Sequence, residues 1–455
     1  MNAPIPDDAS STADATGMLF DLGPVNTPPP GAPPGGTPRL RRAERDQIVM
    51  RCVALDALLP EDHRARIVWD YVQGLDLSAL YQKVLAVEGG KGRTPADPRI
   101  LLALWLYATV EGVGSARALD RLCQEHVAYQ WLAGDVPMNY HTLADFRTAH
   151  PELLDDLLTK SVATLMEQDL VDLNRVAQDG MRVRASAGAS SFRRRPTLEC
   201  CLRQAEEQVA RLRAEVETDP SRGHAQQHQA QVRAARERAE RIQRALERLP
   251  ELEAKKKPAE KEKARASTTD PDATVMKMAD GGFRPAYNVQ FATDTDSKVI
   301  VGVDVITSGS DAGQMPPMVQ QIQDRHDQVP EAMLVDGGFA KHEDIETVSR
   351  PEVGTTVYAP VPNSRNPEID EHAPHRRDTP VITAWRQRMA TPAAQAIYKE
   401  RAATAELANA QTRNRGLWQF RVRGLAKVKM ITLWYALAQN FMRAVALRAA
   451  VAAQG

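Results

Sequence analysis

The sequence predicts an α/β core that follows an all-α N-terminal domain and carries an inserted helical hairpin. Apolar residues recur at three- and four-residue spacing from about 46 to 172, which is the period of amphipathic helices. Two heptad seams occupy the stretch 196–265, and strand-like runs alternate with helical ones from about 284 to 360. Hydrophobic residues make up 43% and charged residues 26% of the chain, so we expect a globular protein with a sizeable core.

The first residues and the spacing of the cysteines indicate the cellular compartment of the protein. Residues 1–45 are rich in Pro and Gly and carry too little apolar surface to offset the entropy of ordering, so we expect a disordered leader. The first residues, MNAPIPDDASS, lack the basic start of a secretory signal, and no run of about eighteen apolar residues follows. The four cysteines include no CxxC pair. We therefore expect a cytoplasmic protein with no membrane partner.

Residues 46–172 form the predicted helical N-terminal DNA-binding domain. Helical spacing marks the segments RIVWDYVQGL, ILLALWLYATV and LLDDLLTKSVATLM. Ser115 precedes ARALDRLCQEH and Asn139 precedes a second short segment, and both residue types cap helix N-termini. Such short helices with glycine-containing turns are typical of a helix-turn-helix-like module. A plain helical bundle that serves as a scaffold is the simpler interpretation.

The insertion at 196–265 is predicted as an antiparallel helical hairpin. One seam runs through Leu198, Leu202, Ala205, Val209, Leu212 and Val216. A second seam runs through Val232, Ala235, Ala239, Ile242, Leu246 and Leu249. The segment AKKKPAEKEKARASTTDPD then returns to the core as a charged linker.

The remaining elements of the domain 173–424 follow a recognisable order. VAQDGMRVRASA is a strand, PAYNVQFAT and KVIVGVDVIT form a hairpin, and MPPMVQQIQDRHD is a helix. AMLVDGGFA and TTVYAPV are further strands around the helix HEDIETVSR, 361–391 is a surface loop, and 392–414 is helical. This order predicts a ribonuclease-H-like core whose first strands are antiparallel and whose later strands are parallel. A C-terminal helix occupies 425–455.

That core brings together an acid from the first strand, one from the fourth strand and one from a helix. The acids in those places are Asp179, Asp336 and Glu406. Three neighbouring carboxylates repel one another unless cations neutralise them, and Mg²⁺ prefers carboxylate oxygens, so the set makes chemical sense as a metal site. From residue types alone the rivals Asp304, Asp294 and Glu400 stay open.

Several segments resemble the DDE transposases of bacterial insertion sequences, in particular the insertion-sequence 1182 group. The segment from RTPADPRILLALWLYATVEG to YHTLADFRTAH looks like their N-terminal helical domain. VAQDGMRVRASAG resembles the strand with the first catalytic Asp, at Asp179, and DGGFRPAYNVQFATD resembles the second-strand segment. LVDGGFAKHEDIE resembles the strand with the second Asp, at Asp336. YKERAATAE matches a Tyr–Arg–Glu helical signature at Tyr398, Arg401 and Glu406.

The resemblance implies a function and a set of partners. It implies metal-dependent DNA cleavage and strand transfer at insertion-sequence ends, with Mg²⁺ or Mn²⁺, two ions, held by Asp179, Asp336 and Glu406. The implied partners are double-stranded DNA, as terminal inverted repeats and target, and a second copy of the chain in a homodimeric synaptic complex. The residues implied to contact DNA are Arg182, Arg184, Tyr398, Arg401 and Arg413, with Arg117, Arg147 and His150 as weaker candidates. At Arg413 the family usually has Lys.

Charge distribution leaves alternatives open. The net charge is only −1, yet no acidic residue follows Glu406 while eight Lys and Arg residues do. Such a tail is either a footprint for phosphates or a solvated basic face. The other functions considered are a DNA-binding relic without catalysis, a ribonuclease-H-like nuclease, and a coiled-coil protein. The last explains only the hairpin.

Overall fold

A mixed sheet forms the centre of the computed structural model. The structure describes residues 52–84, 86, 94–218, 225–363 and 370–453, with only the backbone described for 216–218 and 225–227. The predicted leader, residues 1–45, lies outside these residues. The strands are β1 (Arg175–Arg184), β2 (Phe192–Arg193), β3 (Ala266–Ser267), β4 (Thr274–Lys277), β5 (Phe283–Asp294), β6 (Ile300–Ile306), β7 (Ala332–Leu334) and β8 (Thr356–Tyr358).

The main sheet has β1 in a central position. Among the described residues its order is β4-β5-β1-β7-β8, and β6 also pairs with β5. β1 runs antiparallel to β5, and β5 runs antiparallel to β4 and β6, whereas β7 runs parallel to β1 and β8. The predicted sequence of antiparallel first strands and parallel later strands is therefore confirmed.

Helices surround the sheet. Before the sheet come α1 (Arg64–Gln73), α2 (Ser78–Tyr81), α3 (Pro98–Val110), α4 (Ala116–Glu125), α5 (Val127–Ala133), α6 (Tyr140–Arg147) and α7 (Pro151–Glu167). Between β2 and β3 lie α8 (Arg195–Thr218) and α9 (Ala225–Ala254). The later helices are α10 (Met315–His326), α11 (His342–Val348), α12 (Pro380–Met389), α13 (Pro392–Arg401), α14 (Leu407–Asn414) and α15 (Leu425–Ala452).

The N-terminal helices begin where the capping residues predicted. The Ser115 side chain accepts a hydrogen bond from the backbone N–H of Ala118 at the start of α4. Asn139 accepts from the N–H groups of His141 and Thr142 at the start of α6, both at 3.0 Å. These bonds satisfy donors that have no partner within the helix.

The helical region and the sheet share one hydrophobic core. Residues from Ala54 onward form one compact unit. Trp105 of α3 and Trp434 of α15 are fully buried in a cluster that also contains Tyr287 and Phe291 of β5. The Trp434 indole donates to the Arg147 carbonyl at 3.1 Å, and the Trp105 indole donates to the Leu143 carbonyl at 2.8 Å. The last helix therefore joins the first helices to the sheet.

Helices α8 and α9 lie side by side in opposite directions. Arg195 at the start of α8 pairs with Glu253 near the end of α9, and His228 near the start of α9 lies 3.6 Å from Glu215. Seam residues of both helices, Leu198, Ala205, Ile242 and Leu249 among them, are buried in a separate small core. At the base of the pair, β2 and β3 form an antiparallel two-stranded sheet.

Two stretches differ from the sequence prediction. The interval 361–391, predicted as a surface loop, contains α12, which begins at the capping residue Thr379 and buries Trp385. The charged linker after α9 contains a 3₁₀ helix, Pro258–Lys263, and strand β3. Polar composition hid α12 and β3, which are ordered by packing against distant residues, whereas the 3₁₀ helix is exposed along its length.

Asn440, a polar residue that interrupts the apolar run of α15, fixes the helix to the sheet. The Asn440 side chain is buried and accepts from the Ile300 N–H at 2.8 Å while donating to the Ile300 carbonyl at 2.7 Å. Asp270 and Asp272 accept from the N–H groups of Gly424 and Leu425 at the start of the helix. Within the described part of the chain, no helix has the length and apolarity needed to span a bilayer.

Replacing Asn440 with Leu is expected to lower the free energy of unfolding by roughly 2–4 kcal/mol, since both polar groups of Ile300 lose their partner in a buried place. Urea denaturation measures this change. Val451→Ala, at a position of α15 that is 56% exposed, is the control and is expected to change the value by less than about 0.5 kcal/mol. Equal denaturation midpoints for both variants would contradict this account of Asn440.

Candidate functional site

The pairing of β1 with β7 places the two predicted aspartates side by side. Ala177 of β1 lies opposite Leu334 of β7 in a parallel register. Side chains two residues apart along a strand share one face, so Asp179 and Asp336 follow these two residues on the same face of neighbouring strands. Asp336 comes just after β7, where its Oδ1 accepts from the Gly338 N–H at 2.8 Å.

A small apolar cluster brings the third acid to this place. Ala177, Leu334 and Ala405 are buried together, and Ala405 immediately precedes Glu406. Asp179 and Asp336 lie two residues after Ala177 and Leu334, and Glu406 lies one residue after Ala405. The contact among these three apolar residues therefore brings the three acids to the same region. Glu406 itself is exposed.

A π-helical turn, Ala402–Glu406, sets the orientation of Glu406. In a regular α-helix, residues five apart differ by about 140° in direction, so Arg401 and Glu406 would diverge. A π turn takes up one additional residue, which brings these two residues onto one side of the helix. Hydrogen bonds on the buried side of the turn hold it in place. The buried Thr404 hydroxyl accepts from Lys298 Nζ at 2.7 Å and donates to the Glu400 carbonyl at 2.9 Å.

The same helical face contacts Asp179 on both sides of Glu406. Arg401 Nη1 lies 3.9 Å from Asp179 Oδ1. Asn409, three residues beyond Glu406, donates from Nδ2 to Asp179 Oδ2 at 2.9 Å. Residues three apart in an α-helix are neighbours on its surface, so Glu406 lies between two residues that touch Asp179.

Burial controls the charge of Asp179. Desolvation raises the pKa of its carboxyl to about 6, Arg401 opposes the shift, and the nearby Asp336 and Asp311 add to it. Near neutral pH the ionised carboxylate of Asp179 is therefore destabilised by its burial. Two buried atoms beside it, Arg401 Nη1 and Asn409 Oδ1, have no hydrogen-bond partner among the described residues.

Asp311 is a fourth acid at this site that was not predicted from the sequence. It is 8% exposed, and its Oδ1 accepts from Asn288 Nδ2 at 2.6 Å and from Gln290 Nε2 at 2.8 Å. Its Oδ2 lies 3.5 Å from Arg182 Nη2. The only signal in the sequence was the pair of amides, Asn288 and Gln290, two residues apart in an otherwise apolar strand.

Glycine is required where β1 passes this amide cluster. A Cβ at Gly180 would lie 2.2 Å from Asp311 Oδ1 and 2.6 Å from Gln290 Nε2. A Cβ at Gly338 would lie 3.0 Å from Asp336 Oδ1 and 3.8 Å from Asp311 Oδ2. The two glycines leave room for Asp311 between the strands that carry Asp179 and Asp336.

The rival acids have structural partners elsewhere. Asp304 lies 2.6 Å from Lys429 Nζ, and Glu400 lies 3.2 Å from Arg175 Nε. Asp294 is buried and accepts from the backbone N–H of Ser297 at 2.7 Å in the β5–β6 turn. Each of the three rival acids therefore has a polar partner of its own in the fold.

Basic and aromatic residues expected to contact DNA fall into two groups near β1 and the α13–α14 segment. Arg184 is exposed, whereas Arg182 is half-buried and donates to the Gly309 carbonyl at 2.8 Å. Arg401 and Tyr398 are half-buried, and Arg413 is stacked over the Trp418 ring with its guanidinium carbon 5.7 Å from the centroid.

The N-terminal candidates differ from one another. Arg117 is exposed and lies over the Tyr140 ring at 5.0 Å. Arg147 was expected at a DNA surface but is buried: it donates to the Gly114 carbonyl at 2.7 Å and stacks 4.4 Å over Trp105. Burial lowers its pKa to about 10. His150 is half-buried, and burial lowers its pKa as well. Arg147 therefore stabilises the core, and its buried side chain is not exposed for contact with DNA.

The donors at the site fit a hard divalent cation in part. Asp179 and Asp336 supply carboxylate oxygens on one face, and the unpaired Asn409 Oδ1 is another oxygen donor beside them. Within the described residues, however, no three or more His, Cys, Asp or Glu side chains stand close enough to hold a metal ion. The two aspartates and the Asn409 oxygen fit such a cation, whereas the described residues do not gather a third carboxylate with them.

Comparison with known families gives two matches. Residues 53–149 match the model of a transposase domain (DUF772), and residues 263–441 match the model of a transposase DDE domain. The second match contains Asp336, Arg401 and Glu406, and Asp179 lies between the two matches. No curated protein and no solved structure matches the chain.

Replacing Asp179 with Asn is expected to raise the melting temperature at pH 7.5 without divalent metal, because the variant no longer buries a carboxylate. For a compact unit of about 400 residues, a gain of about 2–4 °C corresponds to roughly 2–3 kcal/mol. The pKa of Asp179 rises on folding to about 6, so folding favours its protonated form. The contribution of Asp179 to stability therefore falls as pH rises from about 4 to 6, and the gain in the variant should vanish near pH 4. Scanning calorimetry across this range measures it, and a gain independent of pH would contradict the assignment.

Proposed function

Because the chain belongs to the DDE transposases of insertion-sequence type, we propose that it cleaves DNA at the ends of an insertion sequence and joins the freed ends to target DNA. The observation that carries this proposal is the position of Asp179 beside Asp336, with the Arg401–Glu406 helix packed against both strands. The resemblance in the sequence favours the insertion-sequence 1182 group.

Asp179, Asp336 and Glu406 are the residues that would hold the metal, Mg²⁺ or Mn²⁺, as two ions. When bound, such ions neutralise charge on the attacking and leaving oxygens of a phosphodiester. The chain itself keeps Asp179 in place through Asn409 and Arg401, so the carboxylate is oriented before any ligand arrives. The cost of burying its charge is then offset by the cation.

The basic residues around the acids would position the strand to be cut. Arg401 is 15% exposed at its side chain, and its Nη1 has no hydrogen-bond partner, which suits it to a phosphate oxygen next to Asp179. Arg413 and Arg184 would contact the backbone farther along. Arg182 is occupied by Gly309 and Asp311, so its contribution would be through the field it creates. Tyr398 and Arg117 complete the proposed contacts.

The proposed partners are the terminal inverted repeats of the element and the target DNA. Two ends have to be held together for joining, so we propose a homodimer in the synaptic complex. The N-terminal helical region, which matches a transposase domain, would supply end recognition.

One observation favours a second candidate function. Glu406 is exposed and belongs to no three-acid group within the described residues. A DNA-binding protein that has lost catalysis would show this arrangement. The two functions differ in whether DNA is cut.

The test is cleavage of labelled DNA that carries the terminal repeats of the element, with Mg²⁺ or Mn²⁺. The wild-type protein is expected to nick at the repeat boundary, and Asp336→Asn and Glu406→Gln are expected to lose roughly a hundredfold or more in rate while still binding. Glu400→Gln is the matched control, since Glu400 lies in the same helical segment but pairs with Arg175. It should cut at a rate close to that of the wild type.

Binding without cutting by the wild-type protein, with either metal, would establish the inactive-copy function instead. Loss of cutting in Glu400→Gln but not in Glu406→Gln would move the third acid to Glu400. Thermal unfolding of each variant verifies that the fold is retained.

A further inference from the structure

A cleft of about 470 Å³ lies between helices α1, α7 and α15. Its described lining residues lie in these helices or directly after α1, and none of them is a candidate acid. A cavity of this volume falls within the range of small-molecule sites in proteins. The cleft is therefore large enough for a ligand and is separate from the candidate metal site.

Small side chains leave this space between the helices. On each helix the lining residues recur at three- and four-residue spacing, so each helix turns one face to the cleft. Gly74, Ser161 and Ala444 stand on these faces, one from each helix. A Cβ at Gly74 would meet nothing nearer than the Tyr71 carbonyl oxygen, at 3.5 Å. Larger side chains at these positions would close a gap that a well-packed core does not leave.

The walls of the cleft are apolar. Leu157 of α7 and Leu437 and Phe441 of α15 are buried residues that line it. The Tyr71 ring packs against Phe441 with 5.4 Å between the ring centroids. A smaller cavity, lined in part by the same Tyr71, Leu157 and Leu437, extends the space to Trp434. These walls can take an apolar chain out of water.

Two hydrogen-bond donors of the cleft are available to a ligand. The Tyr71 hydroxyl makes no hydrogen bond within the described part of the chain. Arg448 donates from Nε to Gln168 Oε1 at 3.0 Å, and its two terminal nitrogens have no partner among the same residues. Burial raises the pKa of Tyr71 to about 12 against an opposing effect of Arg448, so the guanidinium lies near the phenol. The two groups can therefore bind one anionic group together.

The other charged side chains of the lining favour an anion over a cation. Lys160 Nζ pairs with Asp156 Oδ2 at 2.8 Å, and the lysine side chain is 63% exposed. Asp70 is exposed on α1. The described lining thus carries two cations, Lys160 and Arg448, and one carboxylate. The resulting positive field attracts an anion to this end of the cleft.

We propose that the cleft binds an amphipathic carboxylate, a fatty acid of medium chain length. Its apolar chain would lie among Leu157, Leu437 and Phe441, and its carboxylate would accept from Tyr71 and Arg448. A purely apolar molecule would leave the two donors unused, and a small hydrophilic anion would leave the apolar walls in water. The inference goes beyond the proposed function, because this binding needs neither metal nor DNA.

Titration calorimetry of the full chain with decanoate, without metal and without DNA, tests the proposal. Decanoate is expected to bind saturably with one-to-one stoichiometry. Hexanoate should bind at least roughly tenfold more weakly, because each buried methylene contributes about fourfold to affinity. Decylammonium has a chain of the same length with the opposite charge, and it should also bind more weakly than decanoate.

Four variants locate the binding in the cleft. Tyr71→Phe and Arg448→Gln should each weaken decanoate binding by roughly three- to tenfold, since each removes one donor to the carboxylate. Thr164→Trp places a large side chain in the lining and should abolish binding. Arg121→Gln removes a 67% exposed arginine of α4, outside the cleft, and should change nothing. Decanoate should raise the melting temperature of the wild type and leave that of Thr164→Trp unchanged.

Equal affinities for decanoate and decylammonium, or unaltered decanoate binding in Thr164→Trp, would overturn the inference. Absence of saturable decanoate binding to the wild type would overturn it as well. If sedimentation then showed self-association of the wild type that Thr164→Trp abolishes, the cleft would instead receive a second copy of the chain. Thermal unfolding without ligand verifies that each variant is folded.

Discussion

The parallel pairing of β1 with β7 is the contact on which the candidate site depends. Ala177 opposite Leu334 fixes the register, and Asp179 and Asp336 follow from it two residues later. A shift of one residue would turn either side chain to the other face of the sheet. The flanking elements preserve this register: Gly180 and Gly338 leave room for Asp311, and Ala405 packs against the two apolar residues.

At the place where we expect a ligand, the protein buries a carboxylate whose charge is unfavourable there. Asp179 has a pKa raised to about 6 by burial, with two further acids nearby and a single arginine to oppose them. Arg401 Nη1 and Asn409 Oδ1 are buried without hydrogen-bond partners in the described residues. Polar atoms without hydrogen-bond partners also occur elsewhere in the described residues, so the raised pKa of Asp179 and the acids beside it, rather than these two atoms alone, make it a candidate for binding a ligand.

Periodicity in the sequence predicted the strands and most helices, because alternation and helical spacing reflect local burial. It also placed Asp179 in the first strand and Asp336 directly after a later strand, although the choice of these acids over Asp304 and Asp294 came from the family resemblance. The π turn was beyond it, since counting at 100° per residue assumes a regular helix between Arg401 and Glu406. Asp311 and α12 were missed because their partners are distant in the chain, as Asn288 and Gln290 are from Asp311. Arg147 shows the same limit: residue type indicates charge, but packing decides which side chain is buried.

The most direct test of the central claim, that these acids form one metal site, is anomalous diffraction from crystals of the protein grown with DNA and Mn²⁺. The account predicts manganese peaks within about 2–2.5 Å of carboxylate oxygens of Asp179 and Asp336, with Glu406 moved into the same coordination sphere. Manganese bound elsewhere, or ordered DNA at the site with no manganese between Asp179 and Asp336, would contradict it.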